Sequence, residues 1–336
     1  MTGAFRRRYP TESPAASRDA CQRPTTVADV GFAVPDDSVL VCDGGLATTL
    51  QAGGWELRDP LWSASLLIDA PEAIAEAHRA FFNAGAVLAT TASYQASFPG
   101  FAACGIDRPD AAALLRRSVE VARTAADGHH NSPSSGSARW VAASIGPYGA
   151  ALADGSEYRG RYGLSVAELA AWHRPRFEVL AGAGPDVLAC ETVPDIDEAE
   201  ALARLIGEAE IPAWLSYTIE GTTTRAGQPL RDAFAVAAEV PRIVAVGVNC
   251  CDPDDVLPAI AIARSVTAKP VIVYPNSGER WDAAHRRWSG PVRFSPGLVA
   301  RWVAAGARLI GGCCRVGPAD IGTIAAAVDR LRPEPS

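Results

Sequence analysis

The feature that most constrains the fold is a repeated alternation of short apolar runs with segments of helical periodicity. The first apolar run, residues 39–42, breaks at Asp43, and seven more runs follow it with helical patterns between them. Buried parallel strands have this continuous apolar character. Eight strands that alternate with eight helices predict a single (β/α)8 barrel, the TIM-barrel architecture.

The length of the chain fits one domain of this type. The chain has 336 residues, and β/α barrels commonly reach about 250 residues as one unit. Residues 1–32 show almost no periodicity, so we predict a disordered extension there and a barrel domain over residues 33–334. A doubly wound open sheet is the alternative. It is disfavoured because Asp43-Gly44-Gly45, after the first strand, lacks the third glycine of a dinucleotide-binding fingerprint.

Polar side chains are concentrated at the predicted strand ends. In a β/α barrel the active site lies at the carboxyl ends of the strands. Purely structural strand ends would carry a mixture of residue types, so this concentration predicts a functional site. The polar residues are Asp43, Thr91, Ser93, Tyr94, Ser144, Glu191, Thr192, Tyr217, Asn249, Cys250, Asn276, Cys313 and Cys314.

Two of these strand ends carry thiols. Cys250 closes the sixth apolar run, and the adjacent Cys313 and Cys314 close the eighth. Successive side chains diverge on a strand or a tight turn, so adjacent cysteines rarely both pack in a core. Thiolates select zinc in a redox-neutral enzyme, and the pattern therefore predicts a three-sulfur zinc site. Gly311 and Gly312 are expected to let the backbone approach the metal and the substrate.

Five short motifs at the strand ends carry a family resemblance. They are Asp43-Gly44-Gly45, Thr91-Ala92-Ser93-Tyr94-Gln95, Cys190-Glu191-Thr192, Gly247-Val248-Asn249-Cys250 and Gly311-Gly312-Cys313-Cys314. In order and spacing they resemble the homocysteine S-methyltransferase family, from about residue 39 to residue 331. The Gly-Gly-Cys-Cys ending paired with the upstream Asn-Cys is the most specific part. Members that use S-methylmethionine are the most similar, because the chain has no room for cobalamin or folate domains.

The resemblance implies a ligand set and a reaction. It implies that Cys250, Cys313 and Cys314 bind one zinc ion, and that Asp43 and Glu191 hold the amino group of L-homocysteine. The implied reaction moves a methyl group from a sulfonium donor, S-methylmethionine or S-adenosylmethionine, to the homocysteine thiolate and forms methionine. An activated thiolate needs no general base, so no further catalytic side chain is expected. The remaining candidate substrate-binding residues are Gly44, Thr91, Ser93, Tyr94 and Asn249.

Other functions remain open at this point. A zinc hydrolase would use histidine and carboxylate ligands, but the chain has five histidines and none lies at a predicted strand end. A redox sensor or a structural zinc site would show a disulfide between Cys313 and Cys314 or a closed fourth ligand. Within the family, a betaine-type donor or selenocysteine as acceptor stays possible, because donor choice depends on the two long loops at residues 150–163 and 275–294.

Composition limits the partners to small molecules. The formal net charge is -7 and no segment forms a basic stripe, so nucleic acid is not an expected partner. No stretch approaches the roughly 20 apolar residues of a membrane span. The eight cysteines occur without a signal peptide, which indicates a reduced, cytoplasmic protein. The sequence shows no heptad pattern and no apolar stripe, so it does not indicate an oligomeric state.

Overall fold

The computed structural model describes residues 31–57, 61–128, 138–282 and 287–331. The described residues from Phe32 onward form one compact unit. Residues 1–30 of the extension predicted for residues 1–32 lie outside the described residues, so its disorder stays a prediction. Its last residue, Phe32, is buried. No helix among the described residues is both long and apolar enough to cross a membrane.

The strands of the described residues alternate with helices along the chain. In chain order they are β1 (Leu40–Val41), β2 (Leu88–Thr90), β3 (Trp140–Ile145), β4 (Val187–Val193), β5 (Ala213–Tyr217), β6 (Ile219–Glu220), β7 (Thr223–Thr224), β8 (Ile243–Asn249), β9 (Val271–Tyr274), β10 (Arg280–Asp282), β11 (Arg287–Ser289) and β12 (Ala307–Ile310).

Eight of these strands form one parallel sheet in the order β1-β12-β9-β8-β5-β4-β3-β2. Each lies beside the next sheet strand along the chain, whereas β6 with β7 and β10 with β11 form separate antiparallel pairs. The ring closes where Cys42 pairs with Leu88 and the Val87 N–H donates to the Val41 carbonyl over 2.8 Å. The predicted (β/α)8 barrel is confirmed.

Helices surround the sheet. They are α1 (Leu46–Ala52), α2 (Leu66–Asp69), α3 (Pro71–Asn83), α4 (Phe98–Ala103), α5 (Arg108–Asp127), α6 (Tyr148–Leu152), α7 (Val166–Ala181), α8 (Ile196–Glu208), α9 (Leu230–Ala238), α10 (Val256–Val266), α11 (Pro296–Ala305) and α12 (Pro318–Asp329). Short 3-10 helices lie at Trp62–Ser65, Ser156–Tyr158 and Pro253–Asp255. Fully buried residues of helices and strands, such as Phe81 of α3 and Val141 of β3, belong to one large hydrophobic cluster.

A second, smaller cluster fills the interior of the barrel. Successive strand residues alternate between the two clusters: Leu188 belongs to the outer one and Ala189 to the inner one, as the period of two in a strand requires. Trp214 fills the interior, and its indole N–H donates to the Tyr274 hydroxyl over 2.9 Å. Phe32 adds to the inner cluster, with its ring 5.6 Å from that of Trp140.

Both long loops contain regular structure that the sequence did not reveal. Residues 150–163 include the end of α6 and a 3-10 helix at Ser156–Tyr158, and residues 275–294 include the β10–β11 hairpin. These elements have three to five residues each. Such lengths are too short to show a hydrophobic period.

Candidate active site and metal centre

Three thiols converge at the carboxyl ends of β8 and β12. The Sγ atoms of Cys250, Cys313 and Cys314 all lie within 4.8 Å of one another, and those of Cys250 and Cys314 are 3.8 Å apart. Cys250 is buried and the other two are half-buried. The structure therefore brings together the three cysteines that the sequence predicted as zinc ligands.

The end of β9 holds the two cysteine segments in register, because β9 lies between β8 and β12. The Cys313 N–H donates to the Pro275 carbonyl over 2.8 Å, and the Asn276 N–H donates to the Cys251 carbonyl over 2.9 Å. The Asn276 side chain also accepts a hydrogen bond from the Cys314 N–H over 3.0 Å. The positions of the thiols are thus fixed by hydrogen bonds to the backbone.

Cys250 and its neighbour Cys251 face different environments. Cys250 has a left-handed backbone with φ of 51°, which turns the chain sharply at the strand end. Cys251 is 4% exposed and lies in the outer hydrophobic cluster. Burial raises the pKa of the Cys251 thiol well above its usual range, so this cysteine is an apolar core residue outside the thiol cluster.

The donor set and its spacing fit zinc. A Zn–S distance of about 2.3 Å places two ligand sulfurs about 3.8 Å apart on the edge of a tetrahedron, and the Cys250–Cys314 separation is 3.8 Å. Hydrogen bonds from Cys250 and Cys313 lower the pKa of Cys314 well below that of an ordinary thiol. One sulfur of the cluster therefore ionises readily, and metal ligation requires the thiolate form.

Glycines let the loops after β1 and β12 interlock beside the thiols. The Gly312 N–H donates to the Asp43 carbonyl over 3.0 Å. A Cβ on Gly311 would lie 2.6 Å from that carbonyl oxygen, and a Cβ on Gly45 would lie 2.5 Å from the Cys313 carbonyl oxygen. Gly311 thus makes room for the loop after β1, whereas a Cβ on Gly312 would lie 2.1 Å from Cγ1 of Val316. The expectation that both glycines let the backbone approach metal and substrate stays a prediction.

Asp43 is buried beside this loop contact. Its Oδ2 accepts a hydrogen bond from the Thr90 N–H over 2.7 Å, and its Oδ1 accepts one from the Thr90 hydroxyl over 3.0 Å. Burial, with a smaller contribution from the charge of Glu191, raises the pKa of Asp43 to about 8. The following residue, Gly44, is packed so closely that a Cβ would lie 2.4 Å from the Val316 carbonyl oxygen.

Glu191 is the second buried carboxyl of the site and is 7% exposed. Its Oε1 accepts a short hydrogen bond from the Ser144 hydroxyl. Burial raises the pKa of Glu191 to about 7, and the Cys250 thiol acts in the same direction. Asp43 and Glu191 thus interact electrostatically with each other, and Glu191 with the thiol cluster. A cationic ligand would stabilise the ionised form of both carboxyls.

Asn249 is fully buried directly before Cys250. Its Oδ1 accepts hydrogen bonds from the Thr192 N–H over 2.7 Å and the Ser216 hydroxyl over 2.8 Å. Its Nδ2 donates to the Thr192 hydroxyl over 2.7 Å. The amide therefore ties the end of β8 to β4 and β5. It also holds Thr192, which follows Glu191, in a left-handed conformation with φ of 58°.

The segment after β2 is tied to the end of β3. The hydroxyls of Thr91 and Ser93 are 2.7 Å apart, and the Ser93 hydroxyl donates to the Ser144 carbonyl over 2.7 Å. Tyr94 lies against Gly146, where a Cβ would be 2.7 Å from the tyrosine ring. Burial raises the pKa of Tyr94 well above its usual range, so its hydroxyl stays neutral.

Two residues near the thiols were not predicted as site residues. The Tyr158 hydroxyl lies 3.1 Å from the Cys250 Sγ. Its neighbour Glu157 is 7% exposed, and its Oε2 has no hydrogen-bond partner among the described residues. Both belong to the run Asp154-Gly155-Ser156-Glu157-Tyr158 in the first long loop. A polar run of this kind is the only sequence signal, and it does not indicate where the loop folds.

The fold and these residues define a barrel protein with three clustered thiols that could hold a metal ion, and with two buried carboxyls. The family model described as homocysteine S-methyltransferase matches residues 40–328. The chain is 46% identical over 293 residues to a homocysteine S-methyltransferase of Escherichia coli (strain K12), covering 86% of this chain and 94% of that protein. It is 45% identical over 295 residues to the homocysteine S-methyltransferase YbgG of Bacillus subtilis (strain 168), covering 86% and 94%.

A solved structure agrees with these relatives. The metallated form of the homocysteine methyltransferase MmuM from Escherichia coli superposes with a TM-score of 0.78 at 44% sequence identity, covering 86% of this chain and 96% of that one. The chain belongs to the homocysteine S-methyltransferase family, and the resemblance inferred from the strand-end motifs is confirmed.

Proposed function

We propose that this enzyme transfers a methyl group from a sulfonium donor, S-methylmethionine first and S-adenosylmethionine second, to L-homocysteine. The observation that carries the proposal is the cluster of Cys250, Cys313 and Cys314, with Sγ atoms within 4.8 Å of one another beside two buried carboxyls. Family membership supports homocysteine as the acceptor. Three thiol ligands do not suit a zinc hydrolase, because zinc hydrolases commonly use histidine and carboxylate ligands.

Cys250, Cys313 and Cys314 would hold one zinc ion. When bound, zinc supplies a Lewis acid with an open fourth position, which lowers the pKa of a thiol placed there. The seven described cysteines are all free, which supports a reducing, cytoplasmic location. The proposed site needs these thiols reduced.

Asp43 and Glu191 would bind the ammonium group of homocysteine. Each carboxyl already has a fixed orientation, because Thr90 holds Asp43 and Ser144 holds Glu191. A substrate ammonium offsets the cost of ionising both carboxyls in a buried site. The polar groups of Thr91, Ser93 and Asn249 bond to other protein groups. These residues would therefore hold the strand ends that carry the two carboxyls. Tyr94 and Gly44 would line the substrate pocket.

The reaction balances without a further acid or base at the transfer step. The homocysteine thiol loses its proton to solvent, and its sulfur forms a bond to the donor methyl carbon. The carbon–sulfur bond of the sulfonium breaks, and its electron pair remains on the donor sulfur. With S-methylmethionine both products are methionine. The contribution of the protein is the alignment of the two sulfurs and the methyl group.

The metal assignment is tested with Cys313→Ser and the matched control Cys251→Ala. Zinc is measured by inductively coupled plasma mass spectrometry, and methionine formation by mass spectrometry. Cys313→Ser is expected to lose most zinc and activity, because one of three ligands is gone. Cys251→Ala should keep one zinc per chain, because Cys251 is outside the cluster. Full zinc and full activity in Cys313→Ser would contradict the assignment.

The carboxyl assignment is tested with two acceptors. Asp43→Asn and Glu191→Gln should each raise the KM for homocysteine by about tenfold or more, since a buried charge pair is lost. With 4-sulfanylbutanoate, which lacks the ammonium group, variants and wild type should have similar KM values. An equal rise for both acceptors would show that the carboxyls act on structure and not on the ammonium.

The same assay with S-methylmethionine, S-adenosylmethionine and betaine identifies the donor, and selenocysteine tests the acceptor.

A further inference from the structure

Glu157 is a buried acid, and one oxygen of its carboxyl group lacks a hydrogen-bond partner among the described residues. The side chain is 7% exposed, and the oxygen in question is Oε2. A buried carboxylate oxygen without a partner loses its hydration and gains nothing in return. Such a group therefore indicates a ligand that supplies a proton donor or a positive charge.

The surroundings of Glu157 place it on the thiol side of the barrel. The next residue, Tyr158, has its hydroxyl 3.1 Å from the Cys250 Sγ. Burial, and after it the neighbouring Cys250, raise the pKa of Glu157 to about 7. Glu157 in turn interacts electrostatically with Cys314 and Tyr94. Glu157 thus lies close enough to the thiols and to Tyr94 for their charges to interact.

The loop that carries Glu157 is held from several sides. Ser156 and Glu157 pack on α6, where a Cβ on Gly149 would lie 2.4 Å from the Glu157 nitrogen. The Arg225 guanidinium donates to the Tyr158 carbonyl over 3.0 Å. The Arg161 N–H donates to the Asp195 carboxylate over 2.8 Å. These contacts fix the backbone of the loop around Glu157.

We propose that the Glu157 carboxylate binds the sulfonium group of the methyl donor. The inference rests on the proposed function, in which the acceptor sulfur lies at the thiol cluster. In-line transfer brings reacting atoms to about 3–3.5 Å, so the donor sulfur lies about 5 Å beyond the acceptor sulfur. Because the Tyr158 hydroxyl already lies at the thiol cluster, the donor sulfur is expected on the side of the cluster that carries Tyr158 and the residue before it. A sulfonium has no N–H or O–H to donate, and a carboxylate recognises it by charge alone.

The charge change during the reaction determines which kinetic constant responds. The donor sulfur is positive in the bound substrate and neutral in the product, so its charge is already partly lost in the transition state. A carboxylate contact is therefore stronger in the ground state. Loss of the contact should therefore raise the donor KM and leave kcat unchanged or raise it slightly.

The test compares a charged donor with a neutral copy of it. S-Methylmethionine is the substrate, and 2-amino-5-methylhexanoate, in which a CH group replaces the sulfonium sulfur, is the inhibitor competing with it. In the zinc-loaded full chain with saturating homocysteine, Glu157→Gln should raise the donor KM about tenfold and change kcat by less than about threefold. The inhibition constant of the neutral copy and the KM for homocysteine should stay within about twofold of wild type.

Two further variants separate charge from structure. Asp154→Asn makes the same charge change on the exposed part of the loop and keeps an acceptor for the Ser156 N–H, so it should leave all constants within about twofold. Glu157→Asp keeps the charge and should raise the donor KM less than Glu157→Gln does. Circular dichroism verifies that each variant is folded.

Several outcomes would overturn the inference. A donor KM within twofold of wild type in Glu157→Gln would exclude the contact. An equal rise for the donor and the neutral copy would show that Glu157 acts on the ammonium or on the loop. Equal effects of Glu157→Gln and Glu157→Asp would exclude a role of charge. Absence of methionine formation by the wild-type chain with any sulfonium donor would instead overturn the proposed function, and the inference with it.

Discussion

The hydrogen bonds of Asn249 allow a quantitative prediction for Asn249→Ala. The substitution removes three buried hydrogen bonds, two to Thr192 and one to Ser216, of 2.7–2.8 Å. At about 1 kcal/mol each, they stabilise the fold by about 3 kcal/mol. The orphaned Thr192 N–H adds about 1–3 kcal/mol. Relaxation of the left-handed Thr192 backbone recovers a similar amount, so the net loss is about 3 kcal/mol.

Urea unfolding of the full chain measures this loss. Thr192→Val is the matched control, because of the three bonds of Asn249 it removes only the 2.7 Å bond between the Thr192 hydroxyl and Nδ2, and it should cost about 1 kcal/mol; the hydroxyl also bonds to Tyr94. The double variant should cost no more than Asn249→Ala alone, since the bond is already lost there. A cost below about 1 kcal/mol for Asn249→Ala, or additive costs in the double variant, would refute the reasoning.

Three further predictions concern stability. Burial raises the pKa of Glu198 from 4.5 to about 8, so stability should fall as pH rises from about 5 to about 8, by up to about 1.4 kcal/mol per pH unit, and Glu198→Gln should flatten this slope in urea titrations at several pH values. Gly312→Ala places a Cβ 2.1 Å from a Val316 methyl and should cost about 1–3 kcal/mol in urea unfolding, with partial rescue by Val316→Ala. Phe32→Ala should cost about 3 kcal/mol, seen as a lower Tm, because the ring is 6% exposed.

The barrel could be predicted from the sequence because its signals are strong and repeated. Runs such as residues 243–249 are apolar at every position up to the terminal asparagine, as a strand buried on both faces requires. The position of the active site followed from the fold, since strand ends of a barrel meet at one face. Cys250 and Cys314 therefore had to be near each other, although 64 positions separate them in the chain.

The contacts between loops could not be predicted in this way. Glu157 and Tyr158 lie in a segment whose path is set by left-handed residues and by bonds to distant partners such as Arg225. No local pattern encodes these partners. The close packing of Gly311 on the Asp43 carbonyl oxygen could not be predicted either. A prediction from side-chain types cannot identify such a contact, because the contacting atom belongs to the backbone of another loop.

Pro275 and Asn276, which follow β9 and bond to both cysteine segments, have a consequence for how metal enters the site. Both cysteine segments are hydrogen-bonded to these two residues through the cysteine backbone, so the backbone that carries the thiols is held by protein contacts alone. In small zinc domains the ion drives folding, and chelation unfolds them. For the zinc site proposed here we expect folding and metal uptake to be separate events. A chelator should strip the ion from an intact barrel, and reloading should be a single bimolecular step, first order in zinc and first order in protein, without a refolding phase.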